Sequence, residues 1–184
     1  MENARLFTQI EATLSRRVNE LQTLTNVLTV ATQGLDLNTV LKNSLKEAVQ
    51  ALGVERASIG ILDESRTKYS ILAVWKQGTE LYVEPGVVME LTDNPVWQKV
   101  MIEGQCEVTD DTSIVQDGKR LERIKKLGIR SALIVPLETS DRIIGSMQFN
   151  TIANPKAYSL EEIALAKAIA GHFAYIIENA QLYE

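Results

Sequence analysis

The sequence predicts an α+β domain: a mostly antiparallel central sheet with helices on both faces, flanked by long helices at the N- and C-termini. Three observations predict it. Apolar runs of strand length alternate with polar turns between residues 54 and 150. Helical periodicity takes over on either side of that region. The strand runs are apolar at consecutive positions, which requires a sheet covered on both faces.

The elements follow in order. Phe7, Leu14, Leu21 and Leu28 recur at a seven-residue spacing, with Ile10, Leu24 and Ala31 three residues after three of them. No Gly or Pro occurs before Gly34, so one long helix over residues 2–32 is expected, with a seam broken only by Arg17. The competing reading is an amphipathic helix lying on its own domain. A second helix starts at Asp36-Leu37-Asn38 and ends at Gly53. Strands are expected over 57–62 and 70–75, joined by the polar turn Asp63–Lys68, and then over 87–91. Asn94-Pro95 opens a short helix, with the proline where its missing amide costs nothing. A strand over 105–109, an acidic loop over 110–117 and a basic helix over 119–127, stopped by Gly128, follow. Two further strands, over 131–137 and 142–150, hinge at Thr139-Ser140-Asp141. Pro136 cannot donate to a ladder and belongs near an edge or bulge, while Gly145 admits a close neighbour or marks a bulge.

Ser159-Leu160-Glu161-Glu162 has the form of a capping box, and the apolar positions after it keep a helical period to the end of the chain. The phrase Glu2-Asn3-Ala4-Arg5-Leu6-Phe7 returns as Glu178-Asn179-Ala180-Gln181-Leu182-Tyr183. With Tyr183 placed on Phe7, the series Ile169, Ile176, Tyr183 runs on into Leu14, Leu21 and Leu28. The expectation is a repeat of about 176 residues cut from a larger protein whose domains are joined by continuous helices, with these positions forming a dimer seam.

Composition narrows the function classes. A net charge of −5, with Lys and Arg scattered among the acids, argues against nucleic acid or an anionic membrane as the main partner. The single cysteine, Cys106, excludes an internal disulfide and favours a reducing compartment, so a cytoplasmic protein is expected.

The order of segments resembles the GAF family of small-molecule sensor domains. The resemblance rests on Gly128-Ile-Arg-Ser-Ala-Leu-Ile-Val-Pro-Leu137, on Arg142-Ile-Ile-Gly-Ser-Met-Gln-Phe149, on Tyr158-Ser-Leu-Glu-Glu-Ile163, and on the passage from Leu37 to Asp63. It implies a GAF/PAS-like domain over residues 35–177, a linker or signalling helix over 1–34, and over 178–184 the end of a linker helix leading to a following domain. It further implies a tandem setting in signalling proteins such as sensor histidine kinases of two-component systems, with terminal helices that pair in a homodimer.

The specific chemistries of that family each call for particular residues. Bilin attachment uses a Cys-His pair, whereas Glu107 follows Cys106. Haem requires a ligand such as His172, a lone histidine on an apolar helix and followed by Phe173. Cyclic-nucleotide binders carry Asn-Lys, then Phe, then Asp-Glu; here Asn150 precedes Thr151, Tyr158 stands for the Phe, and Glu162-Ile163 replaces the acid pair. The residues thus argue against bilin, haem and cyclic nucleotide, and the cofactor is left unknown. No phosphate-cradling loop, metal cluster or nucleophile–base pairing occurs, so an enzyme is the least expected class.

The resemblance places a cavity between the sheet and the segments 87–101 and 109–130. Candidate ligand contacts there are Trp97 for stacking, Asp110, Asp111 and Thr112 for hydrogen bonds, and Arg130 for an anion. The structural alternatives are a core anchor for Trp97 and a capped turn for Asp110-Asp111-Thr112. Two functions stay open: a sensory module that passes ligand state through its helices to adjacent signalling domains, and a dimerisation spacer that binds nothing.

Overall fold

The computed structural model describes residues 37–78, 86–116 and 118–182. The expected helix over 2–32, with Phe7, Leu14, Leu21 and Leu28, and the last seam position Tyr183 lie outside them.

Helix α1 spans Leu37–Leu52 and buries Leu41, Leu45, Ala48, Val49 and Leu52, one face of a 3.6-residue period. Gly53, at φ 60°, ends it: its amide donates to Gln50 O at 3.2 Å and that of Val54 to Val49 O at 3.1 Å, the paired bonds of a Schellman motif. Strands β1 (Arg56–Leu62) and β2 (Lys68–Lys76) form a hairpin whose turn is tied by Asp63 Oδ1, which accepts from the Thr67 and Lys68 amides at 2.9 Å each. Strand β3 is Val88–Glu90, and helix α2 is Pro95–Met101, capped by Asn94 Oδ1 on the Val96 amide at 3.1 Å. Strand β4 is Glu107–Thr109, and helix α3 is Gly118–Leu127, closed at Gly128 by the same Schellman pair as α1. Strands β5 (Ser131–Glu138) and β6 (Ile143–Thr151) lead into helix α4, Leu160–Leu182.

All six strands join one antiparallel sheet in the order β3-β2-β1-β6-β5-β4. The expected α+β class is the one observed, with α1 and α4 on one face and α2 and α3 on the other. Beneath α1 and α4, Ile59, Leu133, Met147, Phe149, Phe173 and Ile177 form the larger core. Beneath α2 and α3, Tyr69, Ile71, Trp97, Met101, Ile124 and Leu127 form the smaller one.

Two expectations about single residues are resolved by register. Pro136 lies beyond the stretch of β5 that β4 covers, Ala132 to Ile134, so its missing amide faces an open edge. Gly145 is a close approach: a Cβ there would stand 2.0 Å from the Gly60 carbonyl oxygen of β1. Among the described residues, no helix is long and apolar enough to cross a membrane.

Candidate functional site

Strands β1 and β6 run side by side through the middle of the sheet. Ala57, Ile59, Met147 and Phe149 face α1 and α4, so the alternate residues face α2 and α3. Those alternates are polar: Arg56 stands opposite Asn150, Ser58 opposite Gln148, and Gly60 opposite Ser146. All five of these side chains are buried. Tyr69 of β2 lies over the space Gly60 leaves, since a Cβ on Gly60 would meet its ring at 2.6 Å.

This floor is incompletely satisfied. Among the described residues the Ser146 hydroxyl is buried without a hydrogen-bond partner, a condition that costs free energy, while the Tyr69 hydroxyl has the Gln148 side chain as its hydrogen-bonding neighbour. Arg56 is 3% exposed and makes its hydrogen bonds through Nη1, to Asn150 Oδ1 at 2.7 Å and Ser58 Oγ at 3.1 Å. Both partners are neutral. Burial pushes the Arg56 guanidinium down to about 10, and the nearby Arg123 cation pushes the same way. Burial likewise raises Tyr69 above the ordinary phenol range.

Farther out on the same side of the sheet is a cavity of about 380 Å³, within the range of small-molecule sites, and its lining does not include Arg56, Tyr69, Ser146 or Gln148. One wall is β3, the turn after it and α2, contributing Met89, Asp93 and Trp97; the other is α3, contributing Lys119, Arg120 and Arg123. Trp97 is held edge-on by Tyr69, with ring centroids 4.3 Å apart and planes at 73°. The Arg123 guanidinium sits 5.1 Å from the Trp97 ring centroid and donates to the Met89 thioether. Lys119 pairs with Asp93 at 2.5 Å, and this hydrogen bond raises its pKa. Arg120 donates to Thr109 Oγ1 at 2.7 Å.

Of the five ligand contacts expected from sequence, Trp97 lines the cavity. The other four hold the loop after β4 together. Asp110 accepts from the Tyr158 amide at 3.2 Å, and Asp111 caps the turn Thr112–Ile114 by accepting from the Ser113 amide at 2.9 Å. That bond is the main reason the Asp111 pKa is lowered. Thr112 is buried and donates to Ile129 O at 2.7 Å, and the Arg130 carbonyl accepts from the Thr112 amide at 2.9 Å. Arg56, Tyr69, Arg123, Ser146 and Gln148 were not anticipated. A usable signal existed in β6, where Ser146, Gln148 and Asn150 alternate with Met147 and Phe149.

The GAF domain family model matches residues 34–178. The chain belongs to this family. GAF domains are in general regulatory, small-molecule-sensing modules of signalling proteins. No curated protein matches the chain. A fragment of a methyl-accepting chemotaxis protein, residues 122 to 287, superposes with a TM-score of 0.68 at 23% identity, covering 86% of this chain and 98% of that one. The phycocyanobilin-bound GAF domain of a cyanobacterial phytochrome gives 0.69 at 16%, covering 89% and 96%. The GAF domain of an Acinetobacter phosphoenolpyruvate-protein phosphotransferase gives 0.66 at 18%, covering 89% and 95%. At these identities the likeness is one of fold.

The second of these corrects the expectation that set bilin aside. Bilin-bound GAF domains share the backbone of this one, so bilin does not stand apart as an improbable occupant. The absence of a Cys-His pair at Cys106 and Glu107 tests one route of covalent attachment and says nothing about the cavity. Cys106 itself packs against the core under α1 and α4, and burial raises its pKa. His172 is half-buried on α4, where burial lowers its pKa.

Proposed function

We propose that this GAF domain senses a small molecule in the cavity between β3, α2 and α3, and passes its state through the terminal helices of a homodimer to adjacent domains of the same protein. The observation that carries the reading is the cavity itself: a space of about 380 Å³ beside Trp97, walled on one side by Lys119, Arg120 and Arg123 of α3. The setting we infer is a cytoplasmic sensor, such as a histidine kinase of a two-component system, and the chemotaxis-protein neighbour supports a signalling context of this kind.

Helix α4 bears on the homodimer. Ile176 is 4% exposed inside the domain's own core, and Ile169 packs at its border. The outward face of α4 instead presents Ala164, Ala168, Gly171 and Tyr175, and a second copy meets the domain there.

Native mass spectrometry of the chain purified from cell extract tests both parts. The expected result is a dimer carrying an extra mass that the Trp97→Ala variant loses. A dimer without added mass, before and after incubation with extract, supports the spacer reading instead.

A further inference from the structure

Helix α3 is held differently at its two ends. Its buried residues are Ile124 and Leu127, both in its second half, where they join Trp97 and Ile129 in the smaller core. In the first half Lys119 and Glu122 are exposed, and Arg120, Leu121 and Arg123 are half-buried. Polar side chains tie that half down. Lys119 Nζ reaches Asp93 Oδ1 across the cavity at 2.5 Å, Arg123 donates to the Met89 thioether and covers the Trp97 ring, and Arg120 donates to Thr109 Oγ1 at 2.7 Å. Of these three ties, Lys119–Asp93 alone joins two charges. The chain that carries the helix leaves the sheet and returns at one point. The Thr112 amide donates to Arg130 O at 2.9 Å and its hydroxyl to Ile129 O at 2.7 Å, so the two ends of the excursion are pinned to each other. Beside the pin, the Arg130 amide donates to Thr151 O of β6 at 2.8 Å. An excursion closed at its base in this way tilts without pulling on the strands. Gly128, at φ 68° next to the base, supplies the joint.

We propose that α3 is a flap over the cavity: its first turns swing away from β3 and α2 about Gly128, and the Lys119–Asp93 ion pair is the latch that sets how often it opens. The Lys119 side chain is 70% exposed and that of Asp93 34%, so the pair is weak and screened by salt. Ile124 and Leu127 hold the other end by apolar contact, so the helix tilts and stays attached. As a control on entry to the cavity the flap rests on the sensing reading above. Its motion belongs to the unliganded chain, so either one fails without the other. Trp97 reports the motion: it is 3% exposed with Arg123 over its ring, and water reaches it when α3 tilts away.

Hydrogen exchange at the Trp97 indole N–H, followed by NMR in the full 15N-labelled chain without ligand, measures the opening. The backbone amide of Met147, buried in β6, monitors global unfolding. Asp93→Asn and Lys119→Met break the pair from either side. The expected result is Trp97 exchange about two- to five-fold faster in each single variant and no faster again in the double variant, with Met147 moving less. Raising the ionic strength from about 0.05 M to about 0.5 M is expected to speed Trp97 relative to Met147 in wild type and to leave that ratio unchanged in Asp93→Asn. A single variant that exchanges at the wild-type rate, or effects that add in the double variant, overturns the latch. Trp97 and Met147 quickening in equal proportion overturns the flap, because the whole domain has then loosened.

Discussion

Single residues tie the two faces of this domain together, and Tyr158 shows how. Its ring is buried in the core under α4, and its hydroxyl donates to Phe149 O of β6 at 3.2 Å. Burial pushes its pKa up to about 12, with the hydrogen bond from Ser131 opposing the shift. A phenol whose folded pKa lies above its unfolded value stabilises the fold fully below the unfolded pKa, and that stability is lost as pH rises through the folded one. The window is therefore about pH 10 to 12. Tyr158→Phe is expected to cost about 1 kcal/mol at neutral pH through the lost hydrogen bond, and to show a shallower loss of stability across that window than wild type. Urea unfolding of both proteins at stepped pH measures the difference, which removes the contributions of Tyr69 and Arg56 common to both. Parallel curves above pH 10 sink the assignment. Tyr158 entered the sequence reading as a stand-in for a family phenylalanine. Its role as a strut was not legible, because the partner carbonyl is brought to it by the fold.

At the scale of elements, what could be read was local chemistry. The capping box of α4 is present as written: Glu162 Oε2 accepts from the Ser159 amide at 3.0 Å, and Ser159 Oγ accepts from the Glu162 amide at 3.2 Å. The glycine stops of α1 and α3 and the Asn94-Pro95 start of α2 are legible for the same reason, that cap and partner lie within a few residues. The strands β3 and β4 are short edge elements whose limits are set by a neighbour, so a sequence window places them less well. Helix α4 is apolar on more than one face, and a seven-residue spacing cannot say which face the sheet takes; Ile176 goes to the core. The β1–β6 pair offers a test of element packing. Gly145→Ala places a methyl group against the Gly60 backbone, where neither strand can yield without breaking the ladder. A loss of about 1–3 kcal/mol or more is expected in urea unfolding. A change within about 0.5 kcal/mol refutes the close-approach account.

At the scale of the whole molecule the sheet divides labour between its faces. The face under α1 and α4 is mostly apolar, with Ser131, Thr151 and the Tyr158 hydroxyl hydrogen-bonded to one another, and gives stability; the face under α2 and α3 buries Arg56, Ser58, Ser146, Gln148 and Asn150. The fold class was legible because alternation and periodicity are repeated signals along the chain. The floor was not, because Arg56, Tyr69 and Gln148 come from three strands and meet through register. Signalling then requires that the ligand favour one arrangement of the helices over another, and β6 is the element that reaches both sides, with Gln148 toward α2 and α3 and Met147 and Phe149 toward α4. For such a shift to leave the domain, the terminal helices must be held in a dimer. Leu21, in the heptad series that lies outside the described residues, tests this: Leu21→Asp places a charge in the proposed seam and is expected to move the chain toward monomer in light scattering. Trp97→Ala, at the cavity on the opposite face from α4, is expected to leave the mass unchanged. If Leu21→Asp keeps the wild-type mass, the seam reading fails while the cavity reading stands; if wild type is already monomeric at high concentration, transmission through paired helices fails with it.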